Sequence, residues 1–146
     1  MVAPRVTIEL VPNTAWGVNV RSEVSAEEWD IIRKKVYRAA GYKCEICGGV
    51  GDKWPVECHE VWHYDDEHHA QTLVRMIALC PACHAVKHMG RSFAVGKGSQ
   101  ALVHLAAVNG WSVLEAARYY ADAFDVWEER SRHKWRLDLS ALQAYL

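Results

Sequence analysis

The 146-residue chain contains no apolar run approaching the roughly 18 residues that a membrane-spanning helix needs, so no contact with a membrane is expected. It also lacks an excess of charge. Lys and Arg number 17 against 18 Asp and Glu, a net charge of −1, so bulk charge cannot draw it to a polyanion and any such attraction must come from local patches. Internal repeats and low-complexity tracts are absent, and only Gly96-Lys97-Gly98-Ser99 reads as a flexible segment. The N-terminus, M-V-A-P-R-V, has no apolar stretch of the kind a secretory leader carries. Reduced cysteines and a cytoplasmic protein are therefore expected.

Against these absences stands one dense stretch, from Cys44 to His88. It reads Y-K-C-E-I-C-G-G at one end and A-L-C-P-A-C-H-A-V-K-H at the other, with E-C-H-E-V-W-H between. Two C-x-x-C pairs suit one tetrahedral zinc ion, because each turn lets two sulfurs approach the same metal at about 2.3 Å. Cys44, Cys47, Cys80 and Cys83 are the expected zinc ligands. Disulfides and redox-active thiols are the competing readings, and five cysteines leave Cys58 without a partner.

Directly after the last of these cysteines come His84 and His88, which share one helix face at i and i+4 if a helix starts near Pro81. His59 lies in V-E-C-H-E-V-W, a short strand-forming run that the zinc would tie back against that helix. A second, more open metal site on His59, His84 and His88 is then expected. The plainer alternative leaves the two helix histidines facing solvent.

With 51% apolar residues, a single domain over residues 1–146 with one core is expected. Val6, Ile8 and Leu10 alternate as in a half-buried strand, and Asn13 to Arg21 reads as an irregular connector. Ser25 and Glu28 form a capping box for a helix carrying Trp29, Ile32, Val36 and Ala39, closed by Gly41. Lys53 to Tyr64 reads as part of a β-hairpin, and Asp65 to Gln71 as a polar loop. Ser99 to Val108 is a helix ended by Asn109-Gly110. Ser112 and Glu115 cap a longer one, whose buried stripe is expected at Leu114, Ala117, Ala121, Phe124 and Trp127. Trp135, Leu137 and Leu139 suggest a short strand pairing with the N-terminal one. Basic residues cluster twice, at Arg33, Lys34, Lys35, Arg38 and Lys43, and at Arg130, Arg132, Lys134 and Arg136. Each cluster is either a solvated face or a phosphate-binding one.

At C-E-I-C, E-C-H-E and L-C-P-A-C-H-A-V-K-H the chain resembles the HNH endonucleases, in the branch where two cysteine pairs brace the ββα-metal motif. The resemblance covers about residues 42–90. It implies an α+β fold: a zinc-braced, treble-clef-like ββα-metal core, flanked by an N-terminal strand and helix over 1–41 and a helical extension over 91–146, with a small antiparallel sheet. It implies a metal-dependent DNA endonuclease or nickase, with zinc at the cysteines and Mg²⁺, Mn²⁺, Ni²⁺ or Zn²⁺ at the histidines. His84 and His88 match the helix ligands. On the strand, either His59 is the third ligand and Glu60 the base, or His59 is the base and Cys58 stands at the metal. His63 is a further base candidate. The asparagine that gives the family its name has no counterpart: the chain's asparagines are Asn13, Asn19 and Asn109, and Gln71 is the nearest amide. DNA is the partner implied, held by both basic clusters and Lys87, with a homodimer as a further possibility. The rival expectation is a non-catalytic zinc module for DNA or protein partners.

Overall fold

Alternation along one strand organises the molecule. In β1 (Glu57–Asp65) successive side chains point to opposite faces, so His59 and Val61 turn one way while Cys58, Glu60 and Trp62 turn the other. A tight turn returns the chain as β2 (Ala70–Leu79), antiparallel to β1, with Asp65 opposite Ala70 and Glu57 opposite Leu79. The register slips once beside Val61 and Trp62, leaving Val74 as the extra residue of a bulge. Near its end β2 is buried on both faces: Met76 and Ala78 enter one apolar core, Ile77 and Leu79 the other. Such a continuous apolar run is what a strand covered on both sides requires.

The computed structural model describes residues 3–146. On one face of the sheet lie α1 (Val20–Glu23) and α2 (Ala26–Ala39), which bury Val20, Ile32 and Val36 against Leu73, Met76 and Leu142. Ser25 starts α2 as the capping box predicts, its hydroxyl accepting from the Glu28 amide at 3.1 Å while the Glu28 carboxylate accepts from its own. The other face is covered by α3 (Pro81–Lys87), α4 (Met89–Ala94), α5 (Gly98–Asn109) and α6 (Val113–Arg130). Val86, Met89, Leu105 and Ala116 form that core with Val6 and Ile8. No helix among the described residues is long and apolar enough to cross a membrane.

Five expectations need correction. The N-terminal segment buries Val6 and Ile8 with the predicted period but joins no sheet. Its backbone is satisfied elsewhere: the Asn109 amide accepts from Val6 N–H and donates to Val6 C=O, and Glu9 N–H donates to the Lys87 carbonyl. The C-terminal strand, β3 (Arg136–Asp138), consequently pairs with Ala70–Thr72 of β2 in parallel, so the sheet is mixed rather than antiparallel. In α6 the expected stripe is mostly exposed, Leu114 and Phe124 among it. The face that packs instead carries Ala116, Tyr119, Tyr120 and Ala123, because the small Ala116 lets Leu105 and Ala106 of α5 come close. Finally, Gly96 to Ser99 is a tight junction and not a loose linker: Gly98 begins α5, and the Phe93 ring occupies the place a Cβ would take. Asn13 to Arg21, expected to be irregular, holds a 3-10 turn at Asn13–Ala15 and the start of α1.

Candidate metal centres

The four cysteines converge. Cys44, Cys47 and the glycines after them form a knuckle, in which Cys47 N–H points at Cys44 Sγ (3.5 Å) and Gly49 N–H at Cys47 Sγ (3.4 Å). Gly48 sits at φ +77°, a conformation an L side chain rarely adopts, and this reversal lets the knuckle close. Cys80 ends β2 and caps α3, its sulfur accepting from Cys83 N–H at 3.4 Å, with Pro81 in the first helical position where no amide is needed. Cys47 Sγ and Cys80 Sγ lie 3.6 Å apart, far beyond a disulfide at about 2.05 Å. It is close to the edge of about 3.8 Å that a sulfur tetrahedron around zinc requires. All four sulfurs lie within 4.8 Å of one another.

Without a cation these thiols oppose one another electrically. Burial and then the neighbouring sulfurs push the Cys83 thiol well above the usual range, and Cys80 is pushed up to about 11 by burial first. Burial also acts on Cys44, but the amides of Ile46, Cys47 and Cys80 outweigh it and bring that thiol to about 7. A bound dication removes the conflict by stabilising every thiolate at once. His104 on α5, which no spacing in the sequence singles out, places a ring nitrogen 3.2 Å from Cys83 Sγ.

A second convergence sits one turn further along. His59 on β1, His84 on α3 and His88 at the end of α3 offer ring nitrogens all within 4.8 Å of one another. His84 Nε2 and His88 Nε2 are 3.2 Å apart. Tetrahedral nitrogen ligands at about 2.0–2.1 Å from a metal would be about 3.3 Å apart.

Two carboxylates set the tautomers. His59 Nε2 hydrogen-bonds Glu9 Oε2 at 2.9 Å, and His84 Nδ1 bonds Glu57 Oε1 at 2.9 Å. A carboxylate can only accept, so each of these nitrogens carries the proton and the opposite nitrogen keeps its lone pair. His59 Nδ1 is buried without any partner, a costly state unless something accepts that lone pair. Two of the rings are held neutral as well. Burial lowers the His59 imidazole despite Glu9, and burial with the repulsion of His84 and His59 pushes His88 down to about 3. Three imidazole nitrogens within 4.8 Å of one another are the donor set of a cation site.

Comparisons with family models, with curated proteins and with solved structures find no match.

The remaining predicted residues fare differently. Glu60, adjacent to His59, points to the opposite face of β1, where its carboxylate accepts from Val20 N–H at 3.0 Å and burial raises it. Strand alternation therefore separates it from the imidazoles, and it is no base for them. Cys58 shares that face, its thiol pushed up to about 12 by burial. His63 is exposed on a different groove, beside Trp62, Tyr119 and Trp127. Gln71 is buried and donates to the Tyr64 hydroxyl. Lys87, expected on DNA, is 5% exposed and bonds Thr7 and Glu9, so it cannot reach a phosphate. Arg33 pairs with Asp30, Arg130 with Asp66 and Arg132 with Glu129, whereas Lys34, Arg38, Lys43, Lys134 and Arg136 are exposed with no ion pair among the described residues.

The imidazole site forms part of the wall of a cleft of about 1160 Å³. Arg21, Arg91 and Lys97, none singled out by the sequence, line it as well. Glu9 and Glu57 were also missed. Glu57 stands two residues before His59 on the same strand face, which alternation could have revealed; Glu9, fifty positions away, carries no local signal.

Proposed function

We propose that the protein is a metal-dependent nuclease of the HNH kind, with Cys44, Cys47, Cys80 and Cys83 holding a structural zinc and His59, His84 and His88 holding the working cation. The observation that carries this reading is the convergence of three imidazoles, with ring nitrogens within 4.8 Å of one another, on the wall of an open cleft, one of them His59 with its Nδ1 buried and unpartnered. Three imidazoles suit Zn²⁺ or Ni²⁺ better than Mg²⁺, which prefers oxygen. Such a cation polarises a phosphoryl oxygen and offsets charge on the leaving oxygen. The chain's own groups do the positioning. Glu9 and Glu57 fix the rings, and the cationic wall of Arg21, Arg91 and Lys97 faces the phosphate backbone.

With Glu60 turned away, Glu57 is the carboxylate in the cleft best placed to receive a proton from attacking water. His84 and then Trp54 hold it below the usual carboxylate range, so it is ionised at neutral pH. A carboxylate so lowered is a weak base, and this argues for slow turnover.

The deciding assay incubates supercoiled plasmid with Zn²⁺, Ni²⁺, Mn²⁺ or Mg²⁺. Wild type is expected to nick, while His59→Ala and His84→Ala lose more than the roughly 10- to 100-fold that loss of an orienting carboxylate costs. Nicking that survives both substitutions would sink the proposal. No nicking with any cation would favour a non-catalytic zinc module.

A further inference from the structure

The cleft is lined by more than imidazoles and cations. Trp16 and Trp54 are 74% and 52% exposed, and both border it together with the half-buried Trp29. Large aromatic faces left in water are unusual unless something covers them. Trp54 is also held in place. Trp54 Nε1 donates to Glu57 Oε2 at 2.9 Å, the same carboxylate whose other oxygen holds His84, so one indole is tied directly to the imidazole site. Arg21 lies 5.9 Å from the centre of the Trp29 ring, which places a cation beside a second indole.

Every acidic group in the cleft already has a partner. Glu9 and Glu57 are engaged by imidazoles, Glu60 by a backbone amide and Asp30 by Arg33. Arg21, Arg91 and Lys97 have no ion-pair partner among the described residues. Exposed indoles sharing a cleft with unpaired cations suit a single strand: bases stack on the rings while phosphates meet the cations. A base inside a duplex has both faces covered by its neighbours and cannot stack on a side chain without being extruded.

We infer that the cleft takes unpaired DNA, a single strand or a locally opened stretch, with bases stacked on Trp16 and Trp54 and the backbone led past Arg21 and Arg91 to the three histidines. This substrate class rests on reading the cleft as a phosphodiester site, but its test needs no turnover.

Fluorescence anisotropy of a labelled oligothymidylate, and of a blunt duplex of equal length, would be measured without added divalent cation. Single strand is expected to bind roughly 10-fold or more tighter than duplex, with quenching of tryptophan emission. Trp16→Ala, a change at a solvent-exposed ring that leaves folding intact, is expected to lose about 5- to 100-fold on the single strand and little on the duplex. Trp54→Phe keeps a stacking face and should lose less than Trp54→Ala. Duplex bound as tightly as single strand, or Trp16→Ala binding both as wild type does, overturns the inference. Plasmid nicking without single-strand preference removes this inference and leaves the nuclease proposal; single-strand preference in a protein that nicks nothing does the reverse.

Discussion

The two candidate metal centres share α3 and differ in almost everything else. The sulfur site is closed: three of its four cysteines are buried, its hydrogen bonds come from backbone amides and the His104 ring, and no carboxylate bonds its sulfurs among the described residues. The imidazole site is backed by two carboxylates and opens on a cleft. Closed four-thiolate sites stabilise folds, whereas three-ligand sites with room on one side do chemistry. Their order along α3 turns this into a division of labour. Fixing Cys80 and Cys83 sets where the helix begins, and His84 and His88 follow from the helical repeat.

The largest way to test that division is to break each site in turn. Binding of a structural zinc supplies roughly 10–16 kcal/mol of apparent free energy in small zinc domains, more than the whole stability of most domains. Cys83→Ser is therefore expected to lose the ion and the cooperative fold together, read by zinc stoichiometry and circular dichroism. His88→Ala removes one ligand from the half-buried open site, and is expected to keep the zinc and the helical spectrum. Equal collapse in both variants would mean that the two sites are one structural unit.

How much of this could be read in the sequence follows the same line. The pairs Cys44/Cys47, Cys80/Cys83 and His84/His88 were legible because each sits three or four residues apart, and local spacing is what a turn or a helix converts into convergence, whereas His59 comes from a separate strand. Residue Glu60 was misassigned because adjacency in sequence is opposition across a strand. Residue Lys87 reads as an exposed base in a helical last turn, but the face it shares with Cys83 and Val86 is inward, and the buried amine survives there by meeting Glu9. Residues Glu9 and Asn109 belong to contacts that span 50 and 103 positions, for which no periodicity prepares the reader. The two stripes of α6 were equally periodic, and only the size of Ala116 against α5 chose between them.

A middle-sized effect probes how the imidazole site is supported. Glu9 joins His59 to the buried Lys87, and burial would raise its carboxyl were it not for the His59 hydrogen bond and the Lys87 charge, which together hold it below its usual range. Glu9→Ala strips both partners and leaves an ammonium buried, so a loss of about 3–5 kcal/mol in chemical denaturation is expected. Adding Lys87→Met should recover most of that stability without restoring cation affinity, because the methionine replaces the charge but nothing then orients His59. Recovery of both properties would mean that Glu9 serves only the lysine.

The smallest effects concern the outer basic faces, where exposure and pairing separate residues that composition treats alike. Lys34 and Arg38 are exposed on α2 with no ion pair among the described residues, while Arg132 is engaged by Glu129 at 3.1 Å. If α2 touches phosphates, Lys34→Ala and Arg38→Ala should each lower the slope of log affinity against log salt by about 1, since each phosphate neutralised releases about one counterion. Arg132→Ala should leave the slope unchanged, because its charge is already balanced locally. A single strand entering between Arg21 and Arg91 would instead make the slope depend on those two cleft residues and leave Lys34 and Arg38 silent. The pattern of slopes thus separates a wide outer footprint from a narrow channel even if every change in affinity is modest.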